Sequence, residues 1–105
     1  MSVNQITDAE FAEQLTAHPK VVVKYYADWC GSCKLFSPKY KRLASDERFS
    51  DVAFLDVNAE KSPMARKAAG VTTLPYFAIF RNGALVESLS TSKEEAVVEL
   101  LGKLN

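Results

Sequence analysis

Hydrophobic positions along this chain switch between two periods, and each switch marks an element. Thr7 followed by Glu10 forms a capping box, Phe11 and Leu15 then recur at helical spacing, and His18-Pro19 stops the run. A first helix is predicted there. Val21 to Tyr26 is an unbroken β-branched and aromatic run, which reads as a strand buried on both faces and central in its sheet. Lys24 is the one residue wrong for that role. Behind the segment Trp29 to Cys33 a helical stretch runs to about Ala44, and Pro38 within it removes a backbone donor and predicts a kink. Asp46 to Ser50 is a polar break.

Val52 to Val57 predicts a second strand. Ser62-Pro63 has the form of an N-cap with proline at the first helical position, and Gly70 ends that short helix. Tyr76 to Phe80 predicts a third strand, Asn82-Gly83 a tight hairpin, and Leu85 to Leu89 an antiparallel return. Ser92 with Glu95 predicts the cap of a last helix, whose Val97, Leu100, Leu101 and Leu104 form one stripe against the sheet. Parallel strands need right-handed helical crossovers, so these elements imply a three-layer α/β/α fold with a mixed central sheet, a C-terminal β-hairpin and helices on both faces. No repeat, linker or low-complexity tract divides residues 1–105, which read as a single domain.

Composition changes this picture in one respect. The chain is 105 residues long, 48% hydrophobic and 25% charged. A domain of that size buries roughly 65% of its unfolded surface and needs neither metal nor disulfide to hold its core, so its two cysteines need another explanation. Thirteen Lys and Arg balance thirteen Asp and Glu, which removes the electrostatic footprint of a nucleic-acid or anionic-membrane binder. No run approaches the roughly 18 consecutive apolar residues of a membrane span. The polar start, Met1 to Asp8, has no secretory pattern, so the expected location is the cytoplasm, where a structural disulfide is out of place. A CxxC and the distant single His18 make a poor zinc set, and no metal is expected. Redox chemistry remains.

The segment Trp29-Cys30-Gly31-Ser32-Cys33-Lys34 carries that chemistry. Cys30 follows a strand and opens a helix, where unpaired backbone amides and the helix dipole favour a negative sulfur. The thiolate is the species that attacks disulfides, which makes Cys30 the expected nucleophile. Cys33 lies one helical turn further on, within reach of a mixed disulfide on Cys30, and is the expected resolving thiol.

With Pro38 in the helix, Leu74-Pro75 ahead of a strand and Asn82-Gly83 in the hairpin, this segment resembles the thioredoxin family over nearly the whole chain. The resemblance implies a cis Leu74-Pro75 bond facing the active cysteines. It also implies a substrate groove in which the Leu74 backbone pairs with an extended segment, as a strand added to an edge. Trp29, Gly31, Ser32, Thr73, Leu74 and Pro75 would line its rim.

Three positions depart from the family pattern. Ser32 stands where proline is usual, and its amide and hydroxyl are available to stabilise the Cys30 thiolate, which predicts a weaker reductant. Lys24 stands where thioredoxins usually carry a buried acid beneath the second cysteine, and Phe54 is read at the place of that acid's lysine partner, so the pair is absent as a unit. Strand alternation makes Asp56 the nearest carboxylate for Lys24. Lys24 then either reaches water and does no chemistry, or joins catalysis by accepting the Cys33 proton or supporting that thiolate with its charge. Leu89-Ser90-Thr91-Ser92 lacks the family's glycine beside the groove, and Tyr76 replaces a usual threonine; both bear on partner choice.

The expectation is a thiol–disulfide oxidoreductase that reduces protein disulfides, part of an electron-transport chain, working as a monomer without bound cofactor. The resemblance implies electrons from a thioredoxin-reductase-type donor. The alternatives are a thioredoxin-fold interaction module with little turnover, favoured by the missing acid, and a more oxidising exchange protein, favoured by Ser32.

Overall fold

In a computed structural model that describes residues 2–105, ten elements follow one another. They are β1 (Val3–Ile6), α1 (Asp8–Ala17), β2 (Lys20–Tyr26), α2 (Gly31–Ala44), a 3-10 turn (Glu47–Phe49), β3 (Ala53–Asn58), α3 (Pro63–Ala69), β4 (Tyr76–Arg81), β5 (Ala84–Ser90) and α4 (Glu94–Gly102). The sheet order is β1-β3-β2-β4-β5. β3 runs parallel to both β1 and β2, while β4 is antiparallel to β2 and to β5. The apolar run of β2 thus sits at the centre, as its lack of alternation requires.

Period-two alternation divides the core. Val22, Phe54, Phe77 and Ile79 face one way and meet Phe36, Tyr40 and Leu43 of α2 with Val97, Leu100 and Leu101 of α4. Val21, Val23, Tyr25, Leu55 and Val57 face the other way and meet Phe11 of α1 with Ala65 and Ala69 of α3. The helices form the outer layers. Tyr40 is buried with its hydroxyl shared between the carbonyl oxygens of Leu55 at 2.8 Å and Val22 at 3.1 Å, which ties α2 to the two central strands.

The capping box at Thr7 and Glu10 forms as expected, with Thr7 Oγ1 accepting the Ala9 amide and Glu10 the Thr7 amide. Asn82 and Gly83 both adopt positive φ, 52° and 85°, the mirror-image turn that suits strand twist. Gly70 ends α3 at φ 65°, a left-handed position where glycine has no side chain to clash.

Local signals misjudged three places. β1 forms within the polar start although Asn4 and Gln5 break any apolar pattern; its order comes from parallel pairing with Phe54 to Val57, a contact invisible at short range. Ser62 occupies the N-cap of α3 but makes no side-chain cap bond, and the Asp8 carboxylate supplies the cap instead, accepting the Met64 and Ala65 amides at 3.0 and 2.9 Å. Ser92 does not cap the last helix: the N-cap is Lys93, whose amide is taken by Thr91 Oγ1 at 3.1 Å.

Candidate active site

β2 ends at Tyr26, and the chain turns through Ala27 to Trp29 before α2 begins at Gly31, with Cys30 as its N-cap. Cys30 is 4% exposed and its sulfur accepts the Cys33 amide at 3.2 Å. Helix N-termini leave amides without intrahelical partners, and here a sulfur takes one of them. The two cysteines are joined in a disulfide, their Cα atoms 5.3 Å apart, so the sequence spacing does bring both sulfurs together. Ser32 Oγ lies 3.6 Å from Cys30 Sγ, close enough to exchange a hydrogen bond with it.

Of the residues expected at the rim, Trp29, Gly31, Ser32 and Thr73 are exposed, Leu74 is half-buried and Pro75 is buried. Trp29 is 69% exposed, so it is no core aromatic, and its indole Nε1 donates to Glu60 at 2.8 Å. Gly31 and Ser32 are exposed, while Leu74 packs against the cluster of Ala27, Cys30 and Cys33. The Leu74-Pro75 bond is cis. Thr73 is exposed and its hydroxyl donates to Ser90 Oγ at 2.7 Å, which ties the loop ahead of β4 to the end of β5. The Tyr76 hydroxyl shares a hydrogen bond with Ser88 at 2.8 Å across the β4–β5 pair.

Beneath Cys33, Lys24 meets the carboxylate that strand alternation indicated. Phe54 is the register partner of Val22 and packs on Tyr40, whereas the residue facing Lys24 across the strand pair is Asp56. Lys24 is 1% exposed, with Nζ 3.6 Å from Asp56 Oδ1. The family's acid at 24 and lysine at 54 are absent, and Asp56 is the carboxylate that meets Lys24, so the base stands on β2 and the acid on β3. Strand alternation indicated Asp56 for Lys24, and the parallel register of β2 on β3 sets the two directly opposite.

Lys24 does not reach water. Its Nζ donates to Ser37 Oγ at 2.9 Å, and it lies 5.8 Å and 5.5 Å from the ring centroids of Tyr26 and Tyr40. Ser37 Oγ in turn donates to the Cys33 carbonyl at 3.4 Å. Burial lowers the Lys24 pKa from its ordinary value, against the raising influence of Asp56. Burial likewise raises that of Asp56, against the lowering influence of Lys24. A cleft of about 150 Å³ opens on this group and is lined by Cys33, Lys24, Ser37, Asp56, Asp28 and Lys34. Ser37, Glu60 and Ser90 were not legible as site residues, since each acts through a contact made only in three dimensions.

A helix-opening dithiol beside an exposed tryptophan, on a three-layer α/β/α frame, defines a thiol–disulfide exchange protein. The family model described as Thioredoxin matches residues 2–103. Thioredoxin H-type of Chlamydomonas reinhardtii is 30% identical over 96 residues, covering 91% of this chain and 84% of that protein. The short form of thioredoxin f from spinach chloroplast superposes with a TM-score of 0.89 at 26% identity, over 98% of this chain and 93% of that one. A structure described as a complex of ferredoxin:thioredoxin reductase and thioredoxin f2 gives a TM-score of 0.88 at 26% identity, over 97% and 94%. The chain belongs to the thioredoxin family, and it is a thiol–disulfide oxidoreductase, a reductase of protein disulfides.

Proposed function

We propose that Cys30 is the attacking nucleophile and Cys33 the resolving thiol in the reduction of protein disulfides by this chain, acting as a monomer. The Cys30 thiolate attacks one sulfur of the substrate disulfide and releases the other as a thiolate. The Cys33 sulfur then attacks Cys30, frees the second substrate thiol and leaves the Cys30–Cys33 disulfide. The observation that carries this assignment is the Cys30 sulfur at the N-cap of α2, holding a helix amide.

Trp29, Gly31, Ser32 and the loop from Thr73 to Pro75 form the docking rim, with the Leu74 backbone pairing to an extended substrate segment. Backbone pairing tolerates many side chains and suits varied protein substrates. Lys24 belongs to the machinery beneath Cys33. Electrons return from a disulfide reductase that docks on the same rim; the reductase complex of a similar protein supports this partner class.

The test is reduction of insulin disulfides with dithiothreitol as electron source. Turnover that is lost in Cys30→Ser supports the reading. Unchanged turnover in that variant overturns it.

A further inference from the structure

A second cavity, of about 380 Å³, adjoins the docking rim and has room for a side chain rather than for a few waters. Ala59, Pro63 and Val71 give it an apolar lining, Thr72 borders it, and Arg66 and Lys67 of α3 stand on its wall. It meets the rim at two points of the chain. Thr72 precedes Thr73, and Ala59 precedes Glu60, whose carboxylate holds the Trp29 indole. No acidic residue among those described lines it. Neither Arg66 nor Lys67 meets a carboxylate among the described residues, in contrast to six cations elsewhere that do, at 3.8 Å or less. Arg66 is half-buried, and its Nε donates to the Val71 carbonyl at 3.2 Å. That bond fixes the guanidinium plane and leaves its other N–H donors open, a planar fork that matches the two oxygens of a carboxylate.

We propose that this cavity is a specificity subsite for a glutamate side chain of the substrate protein, placed a few residues from the attacked cysteine. Its methylenes lie on the apolar lining and its carboxylate on Arg66 and Lys67. This deepens the exchange reading and rests on it. The reach is short: Val71 stands three residues before Leu74, at most about 11 Å along the chain. An extended segment paired with the Leu74 backbone advances roughly 3.3 Å per residue, so a side chain about two to four places from the cysteine comes level with the cavity.

Glutamate fits better than its neighbours in chemistry. Aspartate has a shorter stem and leaves more of the apolar lining wet. Glutamine has the shape without the charge, and lysine meets two like charges, so the same pair that attracts one residue rejects the other. The chain's charges sum to zero, so no long-range field gathers acidic proteins to it. Selection is therefore local, made in contact, and sensitive to salt.

The experiment uses short peptides with one cysteine, activated as a mixed disulfide with 2-thiopyridine, an uncharged leaving group. Each carries Glu, Gln or Lys about two to four residues to either side of the cysteine. The Cys30 thiolate of the reduced protein attacks the peptide sulfur and releases pyridinethione, whose absorbance gives the rate. The readout is the ratio of Glu-peptide to Gln-peptide rates within each variant, so a general loss of activity cancels. Wild type should favour Glu at one of these positions by about 10-fold, the scale of two charge contacts at a partly exposed site. The ratio should fall towards one at about 1 M salt. Arg66→Gln with Lys67→Gln should bring it near one in ordinary buffer, and Arg66→Glu with Lys67→Glu should make the Lys peptide the preferred substrate. Should the double variants fold poorly, Lys67→Gln alone keeps the Arg66–Val71 bond and should lower the ratio to about 3-fold. A wild-type ratio near one at every position overturns the proposal, as does a glutamate preference left intact by these substitutions. A wild-type chain that reacts with no peptide faster than Cys30→Ser overturns the exchange reading itself, and is thereby distinct.

Discussion

The backbone amide of Cys33 donates to the Cys30 sulfur across 3.2 Å. In the proposed exchange, the residue that ends the reaction thus helps to ionise the one that begins it.

Reduced protein should therefore alkylate first at Cys30. Iodoacetamide rates followed against pH should show a midpoint below the ordinary thiol value of about 8.5. An unperturbed midpoint removes the basis for assigning the attack to Cys30.

Ser32 Oγ lies 3.6 Å from the same sulfur. Replacing it by proline removes both its amide donor and its hydroxyl. A charge-assisted bond of roughly 1.5 kcal/mol is lost, which corresponds to about 30 mV for a two-electron couple. Ser32→Pro should shift the redox midpoint by that order to more negative potential, read by titration against glutathione. No shift, or a positive one, contradicts the role of Ser32.

Trp29 is exposed and anchored by Glu60, the arrangement of a contact surface. Trp29→Ala should lower kcat/KM for insulin by roughly 10-fold, the scale of an aromatic contact worth about 1.4 kcal/mol, while leaving reduction of a small aromatic disulfide nearly unchanged. Equal losses on both substrates point to damage at the dithiol instead.

Asp56 also makes a statement about stability. Its pKa is raised in the folded protein above the unfolded value of 3.8, so the folded state binds more protons between the two values. Stability credited to this group is fully present below pH 3.8 and is lost as pH rises through the folded pKa. Urea melts should find Asp56→Asn less stable than wild type at neutral pH, because it leaves the Lys24 charge buried without its partner, whereas the double variant Lys24→Met with Asp56→Asn should be at least as stable as wild type, an advantage that shrinks in acid. A buried ion pair whose desolvation outweighs its attraction behaves in this way.

Asp8 caps α3 from a distance in sequence of more than fifty residues, through two backbone amides. Asp8→Ala should cost about 1 kcal/mol in chemical denaturation, the usual value of a lost cap, with disulfide reduction unaffected.

The two thiols, their placement at a helix start and the order of strands and helices were legible because each depends on neighbours within one or two turns. The cis Leu74-Pro75 bond was reached only through the family resemblance, since local energetics favour trans. β1, the Asp8 cap and the Asp56 partner were not legible or only half so. Each is a contact between segments far apart in the chain, and the polar residues involved carry no periodic signal.

Local sequence thus determined which sulfur caps α2, because an N-cap is built from a single turn of chain. Tertiary structure decided that Lys24 is buried and meets its carboxylate: the parallel register of β2 on β3 sets Asp56 opposite Lys24, and a shift of one residue would have turned Val57 or Leu55 there instead.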